Sequence, residues 1–253
     1  MVVTNFISAS PASTEALKTA NLLKGLPINA FIFGQNGTGK KSLAKYILPD
    51  APIVDASSYE ELEGALTSHK NIIITNFDKI PNYDNFKVLL DKCEVRIMAL
   101  ATSVFNVNII DDLFGIKVSL PPLSERLEDV KPLCEYFLKE AKETLSIHSV
   151  SAINLNDINL SNNAHSIRRS VYMQVQLQDI KEDELMNIMQ IFLQKRLGGK
   201  NDYRNFLYLF EVPLIKAGLK KFKTQLQLSD KLGLNRNTLR KKIAENKDYL
   251  QDT

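Results

Sequence analysis

Tryptophan is missing from this 253-residue chain, and cysteine occurs only twice. Two isolated thiols exclude a disulfide framework, and neither stands at metal-ligand spacing from the other or from the three histidines, so no metal site is expected. Cys93 and Cys134 are expected to be reduced, buried, small hydrophobes. No apolar run reaches the roughly 18 residues that a membrane-crossing helix requires. The start Met1-Val2-Val3-Thr4-Asn5 has no basic stretch ahead of an apolar core, so a soluble, cytoplasmic protein without a membrane partner is expected. Net charge is also small, at +3, but it is unevenly spread. Residues 216–247 hold ten Lys/Arg against two acids, which leaves the remainder acidic. A cationic charge gathered on one short segment is the footprint of a polyanion partner.

That segment carries a local pattern as well as a charge. Gly233 can leave one helix in the left-handed conformation, and Asn235 can cap the orphan amides that open the next. Leu239 and Ile243 recur four residues apart and can pin the second helix to a neighbour. The opposite face offers Arg236, Asn237, Thr238, Arg240, Lys241 and Lys242. Turn, cap and charge together describe a helix-turn-helix and double-stranded DNA as partner, over the plainer reading of a solvated basic helix. Asn235, Arg236, Asn237, Thr238, Arg240, Lys241 and Lys242 form the candidate DNA site. Arg236, Asn237 and Arg240 are assigned to bases, and Thr238, Lys241 and Lys242 to phosphates.

Upstream, with 44% hydrophobic residues, the chain can bury one sizeable core with one or two small satellites. Apolar runs at 28–33, 71–75, 95–101 and 116–120 alternate with helical spacing, as in a parallel sheet joined by right-handed crossovers. After Pro122 the strands cease. Helical patterns at about 126–145, 164–178 and 182–197 read as a helical lid, and Gly198-Gly199-Lys200-Asn201-Asp202 reads as a linker. The expected fold class is therefore α/β, with domains at 1–122 (P-loop parallel-sheet core), 123–197 (lid) and 203–253 (all-α helix-turn-helix).

Between the first strand and its helix lies Gly34-Gln35-Asn36-Gly37-Thr38-Gly39-Lys40, a loop whose backbone amides can wrap a phosphate while Lys40 adds a point charge. With Lys41 and Ser42 it forms the candidate nucleotide site, for ATP or ADP. Lys41 stands where such loops have a metal-binding Ser or Thr, which counts against magnesium. The neighbouring strand ends Ile74-Thr75-Asn76-Phe77 without a carboxylate to organise a metal or activate water, so no catalytic residue is assigned. Asp78 is expected to be a solvated loop acid; a displaced catalytic acid is the second reading.

The chain resembles the NtrC-type AAA+ enhancer-binding regulators joined to a Fis-type helix-turn-helix. The resemblance rests on the glycine loop, similar to GESGTGKE; on Val95-Arg96-Ile97-Met98-Ala99-Leu100-Ala101-Thr102, similar to a sensor strand; on Leu120-Pro121-Pro122-Leu123-Ser124-Glu125-Arg126-Leu127-Glu128-Asp129-Val130, similar to LPPLRERREDI; and on Asn235–Lys242. It implies an AAA+ core and lid, a DNA-binding dimer with helix 203–221 at the twofold contact, and contact with RNA polymerase. Departures are equally informative. No GAFTGA loop for sigma-54 occurs, Thr75-Asn76 replace an Asp-Glu pair, Asp111-Asp112-Leu113-Phe114-Gly115 lacks the family's arginines, and His165 in Asn163-Ala164-His165-Ser166-Ile167 replaces a nucleotide-sensing arginine.

Losing these elements together implies a DNA-binding transcription regulator whose AAA+ domain is a structural, oligomerising or nucleotide-sensing module. Two other readings stand beside it: an active ATPase remodelling RNA polymerase or another partner through Asp78, and a ligand-responsive regulator working with the housekeeping polymerase. Tyr203, Phe206, Tyr208 and Phe210 are expected on a dimer or core face, His69 and His148 in solvent, and Met186 with Met189 in lid packing.

Overall fold

The computed structural model describes residues 6–147, 152–178, 180–222 and 224–250, so His148 lies outside the described residues. The chain divides into two compact units, one ending at Ile180 and the other beginning at Lys181.

The first unit opens with α1 (Pro11–Lys24), β1 (Ala30–Phe33), α2 (Lys40–Ile47), β2 (Ile53–Asp55), α3 (Tyr59–Ser68) and β3 (Asn71–Thr75). It continues through α4 (Tyr83–Lys92), β4 (Arg96–Ala101), α5 (Val107–Leu113) and β5 (Ile116–Ser119). The strands form one parallel sheet in the order β2-β3-β4-β1-β5. Side chains alternate across it, as the two-residue period of a strand requires. Phe31, Ile72, Ile74, Ile97 and Ala99 pack on one face with Phe77, Phe86 and Phe114. Ala30, Ile32, Ile73, Met98 and Leu100 pack on the other against α1 and α2, through Ala20, Leu23, Leu43 and Ile47. Burial on both faces is what makes these strands read as continuous apolar runs. Each fully buried Phe or Ile contributes about 1.5–3 kcal/mol.

The expected α/β core is thus present, with elements the sequence reading passed over. β2 is a three-residue edge strand, too short to show a period. α1 buries Ala16 and Ala20, residues too small to draw an apolar stripe, although Ser10 as cap and Pro11 in the first turn are ordinary start signals.

The lid consists of α6 (Leu127–Leu145) and α7 (Asn163–Gln178), packed through Cys134, Phe137, Ala141, Ile167, Val171 and Val175. Burial pushes the Cys134 thiol up to about 11, so it is inert, whereas Cys93 is only partly buried. The expected lid ran to residue 197, but α8 (Glu182–Gln194) belongs to the second unit. Its Met189 and Leu193, with Leu197, border a cavity shared with Phe210. Met186 is 65% exposed on that helix and takes no part in lid packing.

The second unit continues with α9 (Asp202–Phe206), α10 (Tyr208–Lys221), α11 (Gln225–Lys231), α12 (Arg236–Glu245) and α13 (Lys247–Leu250). The single helix expected over 203–221 is divided at Leu207. The segment expected as a linker is an ordered turn inside this unit: Gly198 and Gly199 N–H donate to Asp202 Oδ2 at 2.8 and 3.0 Å.

One buried knot holds the first unit's parts in place. Asp129, 1% exposed, accepts from the Ala9 and Ser10 amides at 2.6 and 2.7 Å and from the Ser13 and Ser10 hydroxyls at 2.9 and 3.0 Å. It also pairs with Arg126 at 3.1 Å. Arg126, 2% exposed, donates in turn to Pro121 O and Thr38 O, both at 2.9 Å. Removing one partner of such a pair strands the other in a dry interior. Asp129→Ala is therefore expected to destabilise the first unit by about 3–5 kcal/mol. Denaturant unfolding checks this, and a loss smaller than that of an average surface substitution would contradict it.

Candidate functional site

The glycine loop joins the carboxyl end of β1 to α2, where the helix presents amides that have no intrahelical acceptor. Gly37 adopts φ +78, and a Cβ there would lie 2.9 Å from His165 Cδ2 and 3.0 Å from Asn162 O, so the lid closes directly on the loop. Asn163 makes the closure. Its amide nitrogen donates to Asn36 O at 2.9 Å, its oxygen accepts from Leu123 N at 2.7 Å, and the next residue's N–H donates to Gly37 O at 3.2 Å. Thr38 is buried, and its hydroxyl donates to Gln35 O at 2.9 Å. Lys40 Nζ donates to the carbonyls of Gly34 and Gln35.

Between this loop and the lid lies a cleft of about 460 Å³, bordered by Phe6, Gly39, Ser42, Tyr136, His165 and Arg168. Its walls combine loop amides with aromatic and ionic side chains. Arg168 donates from Nε to Glu140 at 2.7 Å, and the same carboxylate accepts from the Tyr172 hydroxyl at 2.7 Å. Among the candidate nucleotide residues, Gly37, Thr38, Gly39 and Ser42 line the cleft, whereas Gly34, Gln35, Asn36, Lys40 and the exposed Lys41 are not among its lining residues. A larger cavity of about 1080 Å³ sits at the amino ends of the strands, near Asn29, Asn71, Arg96 and Ile116. Ligands of such sheets bind outside the carboxyl ends of the strands, which favours the smaller cleft.

The acid end of β3 differs from the sequence expectation. Thr75 and Asn76 turn away from the loop, to Val54 O at 3.2 Å and Asp55 Oδ2 at 2.7 Å. Asp78 is half-buried, with one carboxylate oxygen withdrawn from water and the other in an exposed contact. Its Oδ1 is buried without a hydrogen-bond partner, and its Oδ2 lies 3.5 Å from the Thr102 hydroxyl at the end of the sensor strand. The short 3-10 turn Phe77–Lys79 causes this by seating Phe77 in the core and folding the next residue back over the sheet end. The charge of Asp78 is felt at Lys40. Burial pulls that ammonium down to about 8, against a smaller upward pull from Asp78.

In the second unit, α11 begins at a Thr224 cap, and the chain turns at Gly233 with φ +64. Asn235 caps α12 by accepting from Asn237 N at 2.9 Å. Leu239 is fully buried with Ile215 and Leu228, and Ile243 packs beside them, as the spacing predicts. Asn235, Arg236, Asn237, Thr238, Arg240 and Lys241 are exposed. Lys242 is not part of that face: its ammonium is paired with Glu211 of α10, so it ties two helices together and is withdrawn from the role of phosphate anchor. Tyr203 and Phe210 are 80% and 61% exposed, while Tyr208 stacks on Tyr249.

No family model matches the chain. In sequence it is similar to limonene hydroxylase of Geobacillus stearothermophilus, 22% identical over 306 residues covering 94% of this chain and 56% of that protein. It is also similar to the anaerobic nitric oxide reductase transcription regulator NorR of Salmonella dublin, 22% identical over 204 residues covering 58% of this chain and 40% of that one. The chain spans about half the length of the curated relatives it matches. In structure it is similar to NtrX of Brucella abortus, solved with ADP and with ATP, at a TM-score of 0.58 and 17% identity, covering 95% of this chain and 69% of that one. The fold is similar to that of NtrX: a parallel-sheet core with a glycine-rich loop after its first strand and a helical lid, followed by a helical region. Among the described residues, no helix is long and apolar enough to cross a membrane, and no three His, Cys, Asp or Glu gather as a metal cluster.

The lowered Lys40 gives a pH prediction. Its pKa of about 8 stands below the ordinary 10.5, so the charged form is disfavoured until an anion arrives to restore it. Triphosphate binding is expected to take up a proton in the window above pH 8, and affinity is expected to fall as pH rises through it. Calorimetry in two buffers of different ionisation enthalpy measures this; binding there without proton uptake would contradict it.

Proposed function

We propose that this chain is a sequence-specific, DNA-binding transcription regulator whose AAA+ domain binds ATP or ADP as a structural or sensing module and does not run as a motor. The carrying observation is α12, which packs through Leu239 and Ile243 while Arg236, Asn237, Thr238, Arg240 and Lys241 face solvent. Helices in this setting enter the major groove by their first turns, where Arg and Asn read base edges. The role of NorR as a transcription regulator and the nucleotide complexes of NtrX support the reading.

Absence of a motor rests on the same residues as before. Thr75 and Asn76 face neighbouring strands, an amide cannot take a proton from water, and His165 stands in for an arginine. Arg236, Asn237 and Arg240 carry base readout, Thr238 and Lys241 hold phosphates, and a homodimer presents two such helices. The exposed apolar side chains of the second unit, Leu185, Ile188, Ile191, Tyr203 and Phe210, support self-association through α8 to α10. A second reading, an ATPase remodelling RNA polymerase or another partner, draws on the half-buried carboxylate of Asp78. Hydrolysis that Lys40→Ala abolishes would favour it.

A shift assay on promoter fragments tests the leading reading. Arg236→Ala with Arg240→Ala is expected to weaken specific binding by about 1–3 kcal/mol per lost base contact. Lys242→Ala is expected to lower thermal stability while leaving the salt dependence of binding unchanged. Unaltered affinity in the double variant removes the proposal. Sedimentation of Phe210→Glu against the parent protein tests the dimer, with a shift to monomer expected and an unchanged oligomeric state counting against it.

A further inference from the structure

The cavity of about 1080 Å³ at the amino ends of the strands has no part in the function proposed above. The sheet order sets β3, β4 and β1 side by side, so Asn71 at the start of β3, Arg96 at the start of β4 and Asn29 just ahead of β1 stand in a row along its wall. Register fixes them there. Asn71 lies opposite Arg96 in the β3–β4 ladder, and Asn29 Oδ1 accepts from Ile97 N at 2.9 Å.

Arg96 is half-buried in that row, and its partners are neutral. Nε donates to Ile28 O at 3.0 Å, and Nη2 donates to Leu23 O at the end of α1. These are the donors on the side of the guanidinium fork; the outer edge, formed by Nη1 and the second N–H of Nη2, remains. Burial disfavours the Arg96 charge, and among the described residues no carboxylate pairs with it to offset the penalty. Acids do border the cavity, but Asp112 is paired with Lys87, and neither Asp91 nor Glu94 is paired with Arg96. The side-chain N–H groups of Asn29 and Asn71 also have no acceptor among the described residues, and Lys70 adds a second cation beside them.

The remaining chemistry narrows the ligand. An outer guanidinium edge offers two parallel N–H groups, which match the two oxygens of a carboxylate. Ile28, Leu90, Val95, Leu113 and Ile116 supply apolar lining, which a bare inorganic anion would leave uncovered. A few converging polar groups on an apolar wall is the usual composition of a small-molecule site.

We propose that the amino end of the sheet is a second ligand site, for a small carboxylic acid with an apolar aryl or alkyl body. Arg96, Asn29 and Asn71 hold the carboxylate, and Leu90, Val95 and Ile116 cover the body. The glycine loop lies at the other end of β1, so acid and nucleotide occupy the first unit together. The site makes this unit a receptor for an organic acid, and it depends on neither the nucleotide nor the DNA reading.

Cys93 reports on occupancy, because it borders this cavity and is only partly buried, whereas Cys134 is inert in the lid. The full chain is titrated calorimetrically with phenylacetate, 4-methylpentanoate and octanoate and with their amides, and modification of Cys93 by a thiol reagent is timed with and without each. At least one acid is expected to bind and to slow the modification several-fold, its amide to do neither, and ATP to leave both effects unchanged. Arg96→Gln is expected to weaken the acid about ten-fold or more. Asn71→Asp, which removes no hydrogen bond found in the fold, is expected to weaken it as well by placing a like charge beside the carboxylate. Binding by none of the acids, equal binding by the amide, unchanged affinity in Asn71→Asp, or binding that leaves Cys93 unprotected overturns the assignment. Displacement of the acid by ATP overturns it too, by placing the acid in the cleft beside the glycine loop.

Discussion

The guanidinium of Arg126 has no water to fall back on, and each of its hydrogen bonds goes to a different part of the first unit. Pro121 ends the sheet, Thr38 belongs to the glycine loop, and Asp129 begins the lid helix and collects the amides ahead of α1. Burial disfavours the Arg126 charge, and the Asp129 carboxylate, with the carbonyls around it, offsets that penalty. Such a pair is weak as a source of net stability and strong as a constraint, because no other arrangement satisfies both charges. The position of the loop relative to the lid is therefore set by polar satisfaction, over and above apolar packing through Leu123 and Ile167.

Around that knot, the carboxyl end of the sheet gathers the glycine loop, the lid and the residues that follow β3. The loop keeps its glycines, its lysine and the helix behind it, and Asn163 holds the lid against its carbonyls. At the end of β3, Thr75 bonds to Val54 O and Asn76 to Asp55, and the turn that seats Phe77 withdraws one oxygen of Asp78 from water. Binding and turnover make separable demands on a site: ground-state contacts survive the loss of groups that act only in the transition state.

The second unit works on a smaller scale. Among the described residues, only Ile215, Leu228 and Leu239 are well buried in the cluster that α10, α11 and α12 form, so the Lys242–Glu211 pair and the Asn235 cap carry a larger share of its order than such contacts would in a larger domain. Its apolar surplus lies on α8 to α10, where Leu185, Met186 and Ile188 are exposed. A surface patch of this kind belongs to an interface more often than to an isolated helix.

Much was legible in the residues alone, for local physical reasons. Strand runs buried on two faces, the glycine loop between strand and helix, and the Gly233 turn with its Asn235 cap are statements about neighbouring residues, and the chain writes them directly. Long-range partnership was not legible. No spacing rule reveals that Arg126 would meet Thr38, that Lys242 would face Glu211 rather than solvent, that one oxygen of Asp78 would be buried, or that α8 would leave the lid. Those outcomes depend on which elements the sheet order and helix packing bring together, and a charged side chain has the same local pattern whether it ends in solvent or in the core. Composition and pattern determined the type of fold and the kinds of site; tertiary structure decided which charges were buried, because burial is a property of the packed whole.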